Sequence, residues 1–152
     1  MTQSARTLAF TFERIIPAAP EEVFDAWLNP ATPGNLWNMA EKLIFDPKVD
    51  GVFYWTAKGT AHYGRFIEIE RPARIEHTLV SPNTLGEESQ VSLTLRRKGK
   101  DTLLTLVHSG IPDTERGQRH QTGWTYFLNL FSEQFRVGGS YGPAQTPRDF
   151  ES

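Results

Sequence analysis

Hydrophobic and polar residues alternate with a period of two through most of the chain before residue 110. Near the start, Leu8, Phe10 and Phe12 alternate with polar or small neighbours, which indicates a half-buried strand that continues to about residue 16. Between residues 42 and 108 the same period returns in six further stretches, separated by turn-forming pairs such as Asp50-Gly51. The pattern therefore predicts seven strands joined by short turns, which is typical of an antiparallel sheet.

Helical spacing replaces the period of two in three places. Pro20, followed by two glutamates, begins a short predicted helix that stops at Asn29-Pro30, and residues 31–37 are predicted to form a second short helix. A long helix is predicted over residues 113–136, polar in its first half and apolar along one face in its second. The apolar stripe consists of Trp124, Phe127, Leu128, Phe131 and Phe135.

The order of these elements is strand, two short helices, six strands and one long helix. A single long helix with so much aromatic surface must be laid against the sheet, since no other element can cover it. This gives an α+β architecture, in which helix and sheet meet either in a filled core or around a cavity. Trp124 is expected to pack toward the concave face of the sheet, near Trp55 or Phe53.

Composition and charge narrow the function classes. A single domain is expected over residues 1–137, followed by a Gly- and Pro-containing tail over 138–152 that is expected to be disordered. The net charge of −2 gives no electrostatic reason to expect nucleic acid as a partner. No cysteine is present for disulfides or thiolate chemistry, and no apolar run suits a signal peptide or membrane insertion. We therefore expect a cytoplasmic protein.

Several short motifs together resemble a known superfamily. They are PEEVFDAW over residues 20–27, DGVFYW over 50–55, GRFIEI over 64–69, RPARI over 71–75, HSG over 108–110 and GW at 123–124. With the element order, they resemble the SRPBCC superfamily, which includes lipid-binding START domains and the birch-pollen allergen. Within it, they resemble the bacterial branch related to the C-terminal domain of the heat-shock-protein-90 ATPase activator.

This resemblance implies a helix-grip fold, in which a seven-stranded curved antiparallel sheet wraps around the long C-terminal helix and two short helices follow the first strand. It also implies a pocket between sheet and helix. The resemblance does not imply one activity, because relatives include lipid carriers, cyclases, sensors and co-chaperones.

The candidate ligand-binding residues are mostly aromatic side chains expected to face this space. An ordinary filled core is the alternative explanation for each of them, because large aromatic residues are usually buried. The set consists of Phe53, Trp55, Phe66, His77, His108, Trp124, Phe127 and Phe131.

Titratable residues supply the candidate chemistry. His77 and His108 share strand faces with apolar residues and are expected to point inward, whereas His62 and His120 are expected to be exposed. Glu68 could lie on either face of its strand, and a bulge could reverse its orientation. The histidine spacing does not match a metal site, and no nucleotide-binding or nucleophile motif is present, so we expect neither metal nor cofactor.

Three functions remain open at this point. The favoured one is a carrier or sensor that binds an apolar, lipidic or aromatic small molecule without transforming it. An enzyme of cyclase, dehydratase or hydrolase type would use His108, His77 or Glu68 for proton transfer. A stress-related protein would bind a chaperone through its surface. A homodimer is also compatible with the sequence.

Overall fold

The computed structural model of the protein describes residues 6–136. Within them the chain forms one seven-stranded antiparallel sheet and two α-helices. The strands are β1 (Thr7–Ile16), β2 (Lys42–Phe45), β3 (Val52–Ala57), β4 (Thr60–Glu70), β5 (Arg74–Leu79), β6 (Ser89–Lys98) and β7 (Asp101–Pro112), and the helices are α1 (Pro20–Trp27) and α2 (Glu115–Arg136). The strand order is β1-β7-β6-β5-β4-β3-β2, which confirms the predicted α+β helix-grip architecture.

The long helix α2 covers the inner face of the curved sheet. Its predicted stripe is buried at Trp124, Leu128, Phe131 and Phe135, while Phe127 remains half-buried. Burial of such side chains stabilises a fold by about 1.5–3 kcal/mol for each large apolar group. Within residues 6–136 no helix is both long and apolar enough to cross a membrane. The predicted tail over 138–152 lies outside the described residues.

The predicted second short helix after β1 is absent, and only α1 forms there among the described residues. Residues 31–37 instead make irregular turns around the buried side chain of Asn35. Its Nδ2 donates to the carbonyls of Ala26 and Trp27, both at 2.7 Å, and its Oδ1 accepts from the backbone N–H of Trp37 at 2.6 Å. An asparagine that bonds the backbone in this way competes with helix formation. The same bonds satisfy carbonyls at the end of α1.

A bulge in β4 decides the orientation of Glu68. Phe66 pairs with His77 and Glu68 pairs with Glu76, so one extra residue lies on the β4 side. His77 is buried on the inner face, and its neighbour Glu76 therefore points outward together with its partner Glu68. The Glu68 carboxylate forms an ion pair with Arg74 at 3.0 Å, and its side chain is 42% exposed. Glu68 thus lies outside the helix–sheet interior.

Strand β7 is longer than the sequence pattern indicated. It was predicted to end near His108 but continues to Pro112, with Gly110 at a positive φ of 73°. The additional residues pair with the start of β1, where Leu8 lies opposite Ile111. The extension brings the first turn of α2 close to the sheet edge: a Cβ on Gly117 would lie 2.0 Å from the carbonyl oxygen of Pro112.

We predict that Asn35→Ala lowers the free energy of unfolding by about 3 kcal/mol, because the Trp27 carbonyl and the Trp37 amide lose the Asn35 side chain as partner, and the Ala26 carbonyl keeps only its longer bond from the Asn29 N–H at 3.4 Å. Urea denaturation monitored by tryptophan fluorescence measures this change. Asn38→Ala is the matched control, since Asn38 is exposed and its Nδ2 donates only to the Pro30 carbonyl. Equal losses in the two variants would contradict the role assigned to Asn35.

Candidate ligand-binding cavity

A cavity of about 290 Å³ lies between α2 and the β3–β5 part of the sheet. This volume is close to the lower end of the range for small-molecule sites, about 300 Å³. Its wall is mainly apolar, with polar side chains interspersed. The lining residues are Leu36, Trp37, Phe53, Trp55, Ala57, Lys58, Thr60, His62, His77, Leu79, Asn83, Arg119, His120, Gly123, Trp124 and Phe127.

Five of the eight predicted ligand-binding residues line this cavity and three do not. The lining residues are Phe53, Trp55, His77, Trp124 and Phe127. Phe66 is fully buried and packs against Phe53, with ring centroids 5.6 Å apart. Phe131 packs edge-on against Trp27 at 5.1 Å. His108 is also fully buried and lies outside the lining. These three support the wall from behind.

Trp37, which sequence reasoning missed, anchors one side of the cavity. It is 1% exposed, and its ring lies 5.0 Å from Phe53, 4.7 Å from Phe45 and 6.1 Å from His77. The contacts with Phe53 and His77 are edge-to-face, and aromatic pairs of this geometry stabilise a core beyond simple area burial. Trp37 belongs to the irregular turns around Asn35, where no periodic pattern indicates which side chains point inward.

Trp124 forms another part of the wall and is supported by Trp27, which is not a lining residue. Trp124 is buried as predicted, and its ring stacks on Trp27 with centroids 6.5 Å apart and an interplanar angle of 16°. Phe127 lies 6.5 Å from Trp124 and 6.4 Å from Trp55. Trp124 was expected beside Trp55 or Phe53, and Phe127 is the ring that connects it to Trp55.

Gly64 positions the ring of Phe53 in the cavity wall. The two residues are cross-strand partners in β4 and β3. A Cβ on Gly64 would lie 2.7 Å from the Phe53 ring and 2.2 Å from the carbonyl oxygen of Thr78. Only a residue without a Cβ allows this close approach, so the position of Phe53 depends on glycine at residue 64.

A chain of hydrogen bonds connects α2 to the sheet through His108. Trp124 Nε1 donates to His108 Nδ1 at 2.9 Å, and His108 Nε2 lies 2.7 Å from Ser89 Oγ. Ser89 donates its own proton to the Leu79 carbonyl at 2.7 Å, so the His108 Nε2 must be the donor to Ser89. Both ring nitrogens are therefore engaged. Burial lowers the pKa of His108 to about 3, so the ring is neutral near pH 7 and has no free nitrogen to act as a base.

His77 is the other buried histidine predicted from the sequence. Its Nδ1 lies 2.7 Å from the Thr78 carbonyl, which only accepts, so Nδ1 carries the proton and Nε2 is the acceptor. Burial lowers the pKa of His77 to about 4. The ring packs among Trp37, Phe53 and Phe66. His77 thus presents a neutral imidazole at the cavity wall.

The prediction that His62 and His120 are exposed is wrong, since both are half-buried and line the cavity. His62 stacks on Trp55 with centroids 3.9 Å apart and planes 6° apart, and burial lowers its pKa to about 4. Burial also lowers the pKa of His120. The sequence contained the signal: His62 alternates with Phe66 on β4, and His120 lies one turn before Trp124 on α2.

The charged side chains of the described lining all have the same sign. Among residues 6–136, the charged side chains that line the cavity are Lys58 and Arg119, and no Asp or Glu does so. The indole Nε1 atoms of Trp37 and Trp55 are buried without a hydrogen-bond acceptor in the described chain. In the same residues, no group of three or more His, Cys, Asp or Glu side chains is arranged to hold a metal ion. The cavity offers apolar contact, hydrogen-bond donors and positive charge.

Known proteins resemble the chain in sequence and fold. Residues 17–136 match the family model described as Activator of Hsp90 ATPase homolog 1-like protein. No curated protein sequence matches the chain.

Solved structures resemble it over most of its length. An HSP90 activator from Plasmodium falciparum is 25% identical, with 86% of this chain and 96% of that one covered and a TM-score of 0.70. A protein from Chromobacterium violaceum is 24% identical, with coverages of 84% and 96% and a TM-score of 0.68. The Aha1 dimer from Colwellia psychrerythraea is 14% identical, with coverages of 88% and 99% and a TM-score of 0.71. At these identities the last two similarities establish the fold alone.

We predict that the protein loses stability between pH 7 and pH 5. His77 and His108 resist protonation in the folded state, whereas the unfolded chain takes up protons near the ordinary histidine pKa of 6.5. Stability is therefore complete above that value and falls as pH decreases toward the folded-state values. The loss should be about 2 kcal/mol for each histidine. Urea denaturation at the two pH values measures it.

Long-range ¹⁵N NMR of the folded protein provides the control at pH 5. His108 should remain neutral with its proton on Nε2, and His77 neutral with its proton on Nδ1. Asp25 does not titrate in this window, because its hydrogen bonds to Arg71 lower the pKa of its carboxyl from 3.8. A constant unfolding free energy, or imidazolium signals from either ring at pH 5, would contradict the prediction.

Proposed function

Since the chain belongs to the family of activator of Hsp90 ATPase homolog 1-like proteins, we propose that it is a binding protein, whose cavity under α2 holds a small apolar molecule as a carrier or sensor does. The observation that carries the proposal is the cavity of about 290 Å³ walled by Trp37, Phe53, Trp55, Trp124 and Phe127. Burial of apolar surface against such rings is favourable without any directional contact.

Gly123 supports this proposal. Glycine inside a helix costs about 1 kcal/mol relative to alanine. Gly123 lies in the middle of α2 and lines the cavity, and a Cβ built on it would meet no atom within 4 Å. Packing therefore does not require glycine at this position. Its effect is to leave space beside Trp124 and Phe127.

The enzyme alternative has less support from the geometry. Proton transfer needs a positioned acid or base, together with groups that stabilise developing charge. His108 has both nitrogens engaged, and Glu68 lies on the outer face of the sheet. His77, His62 and His120 line the cavity, but no carboxylate among the described residues lies there to orient them. Binding of a small molecule requires only an apolar wall with a few polar groups, and the cavity has both.

We predict that Gly123→Leu abolishes binding of the neutral fluorescent probe N-phenyl-1-naphthylamine by filling the cavity. The wild-type protein should bind the probe with saturation, and affinity should fall more than about tenfold in Gly123→Leu, because a leucine side chain occupies much of a site this small. Probe fluorescence during titration measures both affinities.

Two control variants separate cavity filling from other effects. Gly123→Ala should retain probe binding, and Thr122→Leu adds the same bulk at an exposed neighbouring position of α2. Both substitutions at Gly123 should leave the free energy of unfolding unchanged or raise it by up to about 1 kcal/mol, because a helical glycine is replaced. Equal probe affinity in wild type and Gly123→Leu would contradict the proposed binding site.

A second candidate function is binding to a chaperone of the Hsp90 type. The family description and the Plasmodium falciparum HSP90 activator motivate it. On the outer face of the sheet, Ile44 pairs with Tyr54, which pairs with Tyr63. Ile44 is 59% exposed and Tyr63 is 50% exposed. Exposed apolar groups that lie together in this way are typical of interaction surfaces.

If this candidate is correct, the protein should raise the ATP hydrolysis rate of a purified Hsp90. Ile44→Lys should reduce that stimulation, because a charge would interrupt the apolar surface. Gly123→Leu, which alters the cavity and not the outer face, is the control and should stimulate as wild type does. A rate that the protein leaves unchanged would exclude this function.

A further inference from the structure

We propose that the molecule bound in the cavity is an apolar monoanion, with an apolar body against the aromatic wall and a head group of anionic oxygens, such as a carboxylate, at the mouth. This inference rests on the proposed binding function and specifies the ligand class. Two features of the lining carry it: its charge and the position of its cations.

The charge of the lining is positive. Lys58 and Arg119 line the cavity, and neither forms an ion pair within residues 6–136. Glu41 lies near Lys58, but the contact it makes there is with the backbone, where its Oε2 accepts from the Lys58 N–H at 3.1 Å. Glu115 precedes Arg119 by one turn of α2 and likewise forms no ion pair in the described chain. Two uncompensated cations beside low-dielectric walls favour an anionic ligand.

The two cations favour a head group of anionic oxygens. The ammonium group of Lys58 and the guanidinium group of Arg119 can both donate hydrogen bonds to a carboxylate. Such bonds between charged groups are stronger than bonds to a neutral acceptor.

The position of the cations orients the ligand. Lys58 lies in the turn between β3 and β4, and Arg119 lies in the first half of α2, and both are exposed. Phe53, Trp55 and Trp124 are buried, so they form the inner wall. A bound monoanion would therefore place its body inward and its charged oxygens at the mouth.

The aromatic wall would also be compatible with a cationic ligand, because aromatic faces attract ammonium groups. The lining opposes it on two grounds. Lys58 and Arg119 repel a cation, and no carboxylate lines the cavity in the described part of the chain to neutralise one. The cavity histidines are neutral near pH 7, so they neither add to the positive charge nor offset it.

Three probes with the same aromatic body test the inference: 2-naphthoate, its neutral methyl ester, and the cationic 2-naphthylmethylammonium. Isothermal titration calorimetry with the full-length protein should give an affinity for 2-naphthoate at least about tenfold higher than for the ester, because only the acid gains from the two cations. The ammonium compound should bind most weakly. Raising the salt concentration should weaken binding of the acid and leave that of the ester unchanged.

The variant Lys58→Gln/Arg119→Gln should lower the affinity for 2-naphthoate to that for the ester and leave the ester unaffected. Its matched control is Lys48→Gln/Arg116→Gln, which removes two exposed cations outside the lining and should bind all probes as wild type does. Gly123→Leu should abolish binding of all three probes.

The outcomes separate this inference from the binding function beneath it. Equal affinities for acid and ester, or preference for the ammonium compound, with binding abolished in Gly123→Leu, would overturn the anionic ligand class and leave the binding function intact. Binding of none of the three probes would overturn both. Preference for the acid that persists in Lys58→Gln/Arg119→Gln would overturn the assignment of the head group to these two residues.

Discussion

The hydrogen bond from the indole of Trp124 to His108 fixes the long helix on the sheet, and the interior depends on it. Apolar burial alone would hold α2 against β7 but would allow it to rotate or slide, because that interaction has no direction. The bond continues through Ser89 to the Leu79 carbonyl, so α2 is connected to β7, β6 and the end of β5. This connection requires a neutral imidazole at His108. The role of this buried histidine is therefore structural rather than catalytic.

Helix α2 has different surroundings along its length. Its second half is filled, with Leu128, Phe131 and Phe135 packed in the core. Its first half is polar and carries Arg119, His120 and Gly123 along the cavity. The uneven pattern of α2 thus corresponds to two different environments. The apolar second half packs in the core, and the polar first half covers the cavity. The apolar second half supplies stability, and the first half can therefore line a binding site.

The fold could be predicted from the sequence because it depends on regular periods. Alternation identified seven strands, and the stripe on α2 identified the buried helix face. The second short helix was predicted wrongly because a local interaction interrupts the period there, where the side chain of Asn35 replaces a helix with turns. The orientation of Glu68, which the pattern left open, is decided by the bulge after Phe66. Trp37 was missed because those turns have no period. His62 and His120 were misjudged for another reason, since their residue type was given more weight than their place in patterns that point inward.

The pairing of Gly64 with Phe53 means that the shape of the interior depends on two positions that face each other across the β3–β4 hairpin. Any side chain at residue 64 would have to displace both the Phe53 ring and the backbone of Thr78. The two positions cannot therefore drift independently during evolution. A homologue that keeps glycine at position 64 and an aromatic residue at position 53 should retain this part of the cavity wall. A homologue with a side chain at position 64 should have both a smaller residue at position 53 and a shifted backbone beside position 78. The pair offers a way to sort homologous sequences by interior shape before their structures are known.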